Sequence, residues 1–104
     1  MNERLIVQLP VSETTDFDSL VDLEDGLIQL FVGNPGVEVN GHEIGQGRFN
    51  IFISSSEPWA PIVGRIRAFL EFHELERPLI VLDPGNGEGY EIWLPTDYRG
   101  AFEL

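Results

Sequence analysis

The chain has 104 residues, with 18 acidic and six basic side chains, and its formal charge is −12 at pH 7. All six bases are Arg and Cys is absent, which excludes disulfide scaffolds, thiolate zinc sites and cysteine nucleophiles. Because nucleic-acid phosphates and anionic membranes repel so acidic a chain, we expect neither as a partner, and the composition favours a binding module over an enzyme.

The first two elements are predicted to be a strand and an amphipathic helix. Alternating apolar residues predict a strand over Arg4–Pro10, which the proline ends. Thr15 is the expected N-cap of the helix, and the segment Gly33–Gly36 is expected to end it. One arc of this helix is apolar. It consists of residues that recur at helical spacing, namely Phe17, Leu20, Val21, Leu27, Ile28 and Phe31.

A β-hairpin is predicted next. Val37–Ile44 and Arg48–Ser54 have strand patterns, and we expect the turn between them at Gly45–Gly47. A turn at Asn40–Gly41 is the alternative, and it would divide the first strand. The turn at Gly45–Gly47 is favoured because it leaves two longer strands.

A second helix and two short strands complete the pattern. Ser54–Pro58 is expected to start the helix, with serine capping and an early proline. Its predicted apolar face consists of Trp59, Ile62, Val63, Ile66, Phe69, Leu70 and His73. Leu79–Leu82 and Tyr90–Leu94 are predicted strands, and turn chemistry explains the glycine-rich loop Asp83–Gly89 between them better than a calcium site does.

The order β-α-β-β-α-β-β predicts an α+β fold, a ferredoxin-like split βαβ sandwich with one antiparallel sheet and two helices on one face. No repeat or linker divides the chain, so we expect one domain over residues 1–104, with a loosely ordered tail at 95–104. The first ten residues lack the pattern of a signal peptide, and no stretch approaches the roughly 20 apolar residues of a membrane span. A cytoplasmic location is therefore expected.

Six acids and no base lie between Glu13 and Asp25. At about 100° per residue, one face of the first helix, opposite its apolar arc, carries Asp18, Asp22, Asp25 and Gln29. Like charges four residues apart destabilise an isolated helix, so this face does not serve helix stability. It is either a solvated surface that maintains solubility or a docking surface for a basic partner. Trp59 or Trp93 would be an anchor there, although core packing is favoured for both.

Glu24 differs from the other acids because it falls within the apolar arc. A buried carboxylate needs a partner or a proton, and His42 and Arg48 are the expected partners, with Arg4 and Asn50 less suitable. A structural ion pair is the favoured interpretation. The alternative is a small-molecule-binding or catalytic site at Glu24, His42 and Asn50. Motifs for a serine nucleophile, a metal or a phosphate loop are lacking, so we expect no cofactor and no metal.

Three segments share a pattern with a known family: the acidic helix segment Leu23–Asp25, the Gly-His-acid-x-Gly-x-Gly string at Gly41–Gly47 and the Asn-Ile-Phe-Ile strand at Asn50–Ile53. Together they resemble a family of small acidic bacterial ferredoxin-like proteins. This resemblance runs to about residue 70 and implies a fold rather than an activity. In size, charge and lack of catalytic motifs, the chain is also similar in class to bacterial immunity proteins, which bind and block a toxin, often a basic nuclease. We therefore expect a protein-interaction module that neutralises a basic partner, most concretely an immunity protein against a toxin.

Overall fold

Seven elements of secondary structure occupy the part of the chain that the computed structural model describes, residues 3–11, 16–75, 77–85 and 89–94. In chain order they are β1 (Arg4–Pro10), α1 (Phe17–Leu30), β2 (Val37–Gly45), β3 (Arg48–Ser55), α2 (Trp59–Phe72), β4 (Leu79–Asp83) and β5 (Glu91–Leu94). The predicted order of elements is confirmed. The expected loose tail at 95–104 lies outside the described residues. No helix in the described ranges is long and apolar enough to cross a membrane.

All five strands form one antiparallel sheet in the order β2-β3-β1-β4-β5. β1 is the middle strand, and its Leu5 lies opposite Ile53 of β3 and Leu82 of β4. The predicted α+β class, with one antiparallel sheet and two helices, is therefore confirmed. β2 and β5 are the two edge strands, and β5 extends the sheet beyond β4.

Both helices contribute their apolar side chains to the same face of the sheet. The cluster on this face includes Leu5, Val7 and Leu9 of β1, Leu20, Leu23 and Leu27 of α1, Phe49, Ile51 and Ile53 of β3, and Trp59, Ile62 and Ile66 of α2. Because side chains alternate along a strand, the intervening residues belong to the opposite face. There Ile6, Phe52 and Val81 form a smaller buried cluster.

The β2–β3 hairpin turns at Gln46–Gly47, so the favoured position of the turn is confirmed. The alternative position, Asn40–Gly41, is an irregularity within β2. The pairing register with β3 shifts between Val39 and His42, and Gly41 has a φ of 111°, a conformation that glycine adopts without a steric penalty.

Both helices start differently from the sequence prediction. Asp16, not Thr15, is the N-cap of α1, and its carboxylate accepts a hydrogen bond of 2.9 Å from the Ser19 N–H. Pro58 is the N-cap of α2 and provides no side-chain cap. The Ser55 hydroxyl instead accepts the Glu57 N–H at 2.8 Å, within the turn that precedes the helix. The predicted caps at Thr15 and at the serines before Pro58 were therefore wrong: Asp16 caps α1, and Ser55 bonds within its own local turn.

Among the described side chains, two predicted members of the apolar faces are exposed. Ile28 of α1 is 41% exposed, and His73, the C-cap residue of α2, is exposed as well. Ile28 lies at the margin of the apolar arc, and His73 lies beyond the last helical residue, where it contacts the rings of Phe69 and Phe72. The buried face of each helix is therefore narrower than its apolar pattern.

Residues of α2 fix the position of α1. A Cβ atom added at Gly26 would lie 2.8 Å from the Phe69 ring, which explains a glycine in the interior of α1. Arg65 donates a 2.6 Å hydrogen bond to the Leu30 carbonyl, at the end of α1. Because the last turn of α1 contains no base, Arg65 supplies the positive group that a helix C-terminus favours.

Asp16→Ala is expected to destabilise the protein at neutral pH and to have less effect in acid. The hydrogen bond from the Ser19 N–H holds the pKa of the Asp16 carboxyl below its ordinary value of 3.8. A carboxyl whose pKa is lower in the folded state adds stability above its ordinary pKa, and this stability is lost as the pH falls through the lowered value. Urea unfolding of both proteins from neutral to acidic pH measures the difference. Asp16→Asn, which caps without titrating, is the control, and a deficit in Asp16→Ala that is independent of pH would contradict the assignment.

Candidate functional site

The outer side of α1 carries four exposed polar residues, Asp18, Asp22, Asp25 and Gln29, which we call the acidic face. The opposite side of the helix holds the buried residues Leu20 and Leu27. The sequence of α1 contains no base, so no cation within the helix neutralises these acids. The structure thus places all four predicted partner-binding residues together on one exposed surface.

Two exposed apolar side chains follow the acidic face at the end of α1, and a third lies on β2; the sequence prediction did not include their exposure. Ile28 and Val32, at the end of α1 and in the turn that follows, are 41% and 68% exposed. Ile44 of the edge strand β2 is 50% exposed. Exposed apolar groups near charged ones are common at protein–protein interfaces. The sequence contained a signal for the exposure of Ile28: it lies three residues after Asp25 and therefore borders the outer side of α1.

Glu24 lies on the inner side of α1 and meets His42 of β2. Its Oε1 atom is 2.9 Å from His42 Nδ1, and the residue is only 7% exposed. The imidazole ring stacks on Phe49, with ring centroids 4.6 Å apart and an angle of 21° between the planes. Of the partners predicted for Glu24, His42 is the one that lies within hydrogen-bond distance in the structure. The contact connects α1 to the edge of the sheet.

The irregularity in β2 brings His42 to this position. Val39 pairs with Ile53 and His42 pairs with Ile51, and both partners lie on the face of the sheet that the helices cover. Strict alternation from Val39 would have turned His42 to the opposite face. The extra residue at Gly41 therefore makes the Glu24–His42 contact possible.

Asn50 and Arg48 do not join this contact. The Asn50 Oδ1 atom accepts a 2.9 Å hydrogen bond from Gln8 Nε2, and both side chains are buried on the face opposite to the helices. Arg48 precedes Asn50 by two residues on β3 and shares its face by alternation. The two-residue period of β3 therefore places Asn50 on the face opposite to His42, away from the Glu24–His42 contact.

The chemistry available at the Glu24–His42 contact is limited. The Glu24 Oε2 atom is buried and has no hydrogen-bond partner, so a substrate in solvent does not reach it. Within the described ranges, no group of three or more His, Asp or Glu side chains lies close enough to hold a metal ion. The geometry supports a structural hydrogen bond between the two side chains more than a proton-transfer site.

Neither tryptophan is an exposed anchor. Trp59 is buried in the core, and its Nε1 atom donates a 3.2 Å hydrogen bond to Glu3 Oε1. Trp93 is partly buried against the same core, and its Nε1 atom is buried too. The favoured interpretation, core packing of both side chains, is confirmed.

A scan against protein-family models, a search of curated proteins and a search of solved structures each found no match. The geometry and charge of the surfaces described above are therefore the evidence that bears on function. Among these, the acidic face with its apolar neighbours Ile28 and Val32 is the surface best suited to a partner.

The Glu24–His42 contact predicts opposite effects for two substitutions. His42→Ala leaves a buried carboxylate without its partner, and we expect the free energy of unfolding to fall by about 2 kcal/mol. Adding Glu24→Met to His42→Ala removes that unpaired carboxylate and should recover most of the loss. Urea unfolding of the four proteins in this double-mutant cycle measures the coupling, and strictly additive effects would show that the two side chains do not interact.

Proposed function

We propose that this chain is a protein-interaction module that binds a basic protein through the acidic face of α1. The observation that carries the proposal is the joint exposure of Asp18, Asp22 and Asp25 on a helix that contains no base. A surface of one sign raises the rate of encounter with an oppositely charged partner and sets its orientation.

The apolar neighbours of the acidic face give the complex more than long-range attraction. Exposed acids alone bind weakly because salt screens them. Ile28 and Val32 offer apolar area that a partner removes from water on docking. In this proposal the acids accelerate association, and the apolar residues slow dissociation.

The concrete form of the proposal is an immunity protein that blocks a bacterial toxin in the cytoplasm. A nuclease toxin binds phosphates through a basic surface, which an acidic helix complements in charge. The formal charge of −12 and the small size of the chain support this class.

We further propose that the fold is ferredoxin-like with one added strand. The neighbouring strands β2-β3-β1-β4 and the chain order of the first six elements support this assignment. The five-strand order departs from the four-strand sheet of that fold, because β5 lies beyond β4. The alternative function, a ligand or catalytic site at Glu24, His42 and Asn50, has less support, since Asn50 lies on the other face of the sheet.

Neutralising the acidic face is expected to slow partner binding while leaving the fold intact. The tagged chain is first used to capture a partner from its native host, and the captured protein is then purified. The triple variant Asp18→Asn, Asp22→Asn and Asp25→Asn should lower the association rate with this protein about tenfold, with most of the effect lost at high salt. Stopped-flow fluorescence at two ionic strengths measures the rate.

The matched control removes three exposed acids elsewhere, with Glu38→Gln, Glu57→Gln and Glu91→Gln. Equal slowing by both triple variants would mean that net charge, not the acidic face, controls association. A captured protein without a basic surface would contradict the proposal itself. For the immunity form, co-expression of the chain should relieve growth inhibition by the partner, and the triple variant should relieve it less.

A further inference from the structure

The outer side of β2 is an edge of the sheet along which no strand of the described ranges pairs. β2 is the first strand in the order β2-β3-β1-β4-β5, and β3 is its neighbour on the inner side. β2 has nine residues, whereas β5, the other edge strand, has four. The backbone N–H and C=O groups along such an edge form hydrogen bonds with an added strand. The edge of β2 is therefore a surface for an extended polypeptide segment.

The two acids of β2 lie on the face of the sheet that the helices leave uncovered. Glu38 pairs with Ser54, and Glu43 pairs with Asn50, whose side chain is buried on that face. Both glutamates are exposed, and β2 contains neither arginine nor lysine. A strand added beside β2 would place its own side chains next to these carboxylates. Opposite charges stabilise such a cross-strand pair, and like charges destabilise it.

The side of the edge toward the helices is apolar. Ile44 pairs with Phe49, a residue of the core beneath the helices, and Ile44 is 50% exposed. On α1, Ile28 lies one turn after Glu24, which contacts His42 of β2, so Ile28 is on the side of the helix toward β2. Ile28 is 41% exposed. Side chains of an added strand would thus contact apolar surface on this side.

Charge argues against a second copy of this chain as the added strand. A second copy would bring its own Glu38 and Glu43 to the same edge, and each chain has a formal charge of −12. Acidic side chains and an irregularity such as that at Gly41 protect edge strands against self-pairing. The irregularity does not prevent pairing in general, because β3 pairs with β2 on both sides of it. Charge complementarity therefore favours a basic strand.

We propose that the edge of β2 binds an extended segment of a partner protein in which basic and apolar residues alternate. The basic side chains lie beside Glu38 and Glu43, and the apolar side chains lie beside Ile44 and Ile28. Because side chains alternate along a strand, a single period of two residues satisfies both faces at once. This proposal goes beyond the acidic face of α1, since it rests on the backbone and side chains of β2.

The binding test uses the full chain and two end-capped peptides of the same composition. One peptide alternates, Lys-Val-Lys-Val-Lys-Val-Lys, and the other is divided into blocks, Lys-Lys-Lys-Lys-Val-Val-Val. In ¹H–¹⁵N NMR titrations the alternating peptide should bind saturably and shift the amides of Glu43 and Ile44, and the block peptide should bind about tenfold more weakly. Equal affinity for the two peptides, unchanged β2 amides or the absence of saturable binding would overturn the proposal.

Methylation of the peptide backbone separates strand addition from attraction between charges. In an extended strand the N–H groups of alternate residues point to opposite sides, so the valine and lysine N–H groups point in opposite directions. One N-methylated isomer therefore loses its hydrogen bonds to β2, whereas the other is methylated on the side that faces away. We expect the first isomer to bind about tenfold more weakly than the second. Equal affinities of the two isomers would refute strand addition.

Paired substitutions assign the charged contacts on the protein. Glu38→Gln with Glu43→Gln should weaken binding of the alternating peptide about tenfold. Glu71→Gln with Glu91→Gln is the matched control, because it removes the same charge from exposed residues of α2 and β5. Equal weakening by the two pairs would show a general charge effect and contradict the assignment to β2.

The triple variant of the acidic face distinguishes this proposal from the function proposed above. Asp18→Asn, Asp22→Asn and Asp25→Asn together should retain most of the affinity for the alternating peptide, because these carboxylates lie on α1. If the triple variant abolishes peptide binding and the substitutions in β2 do not, the peptide binds to α1. That result would overturn strand addition and leave the function proposed for the acidic face intact.

Discussion

The central position of β1 is the constraint on which the rest of the structure depends. β1 pairs with β3 on one side and with β4 on the other, and all residues of Leu5–Leu9 are buried. Since side chains alternate along a strand, this burial means that neither face of β1 contacts solvent. The buried amide of Gln8 therefore needs a hydrogen-bond partner, and Asn50 lies directly opposite on β3. The Gln8–Asn50 pair favours one register, because a slip by one residue would bury both amides unpaired.

The order of the elements was predictable because its signals are local. Alternating apolar residues, the stop at Gly33–Gly36 and the glycines around Gln46 each act within a few residues of sequence. The caps were less predictable, because Asp16 and the serines each have several backbone N–H groups within reach. Alternation with Phe49 and Ile51 places Asn50 on the face opposite to the helices, so the alternative site that joined it to Glu24 and His42 overlooked a signal present in the sequence. The face of His42 was not predictable, since it depends on the irregularity at Gly41, and β2 would otherwise present His42 on the opposite side.

The candidate surfaces likewise differ in how far local sequence signals determine them. Helical periodicity alone places Asp18, Asp22 and Asp25 together, so the acidic face was available from the sequence. Exposure of Ile44 was not, because it depends on how the edge strand β2 packs in the tertiary structure. A cavity of about 720 Å³, where β1 ends and β3 and β4 begin, was also beyond the sequence. Its described lining comes from four separate parts of the chain, which only the tertiary structure brings together.

The exclusive use of arginine follows from what the few cations of this chain must do. The Arg4 guanidinium pairs with Asp83 at 3.2 Å and lies 4.4 Å from the centre of the Phe52 ring, so one side chain connects β1, β4 and β3. Arg65 bonds to the end of α1 and lies 4.8 Å from the centre of the Phe31 ring. Both residues use the plane and the edge of the guanidinium group at once, which the compact ammonium group of lysine does not allow. In a chain with three times as many acids as bases, Arg4 and Arg65 thus stabilise contacts between separate elements rather than merely balancing charge.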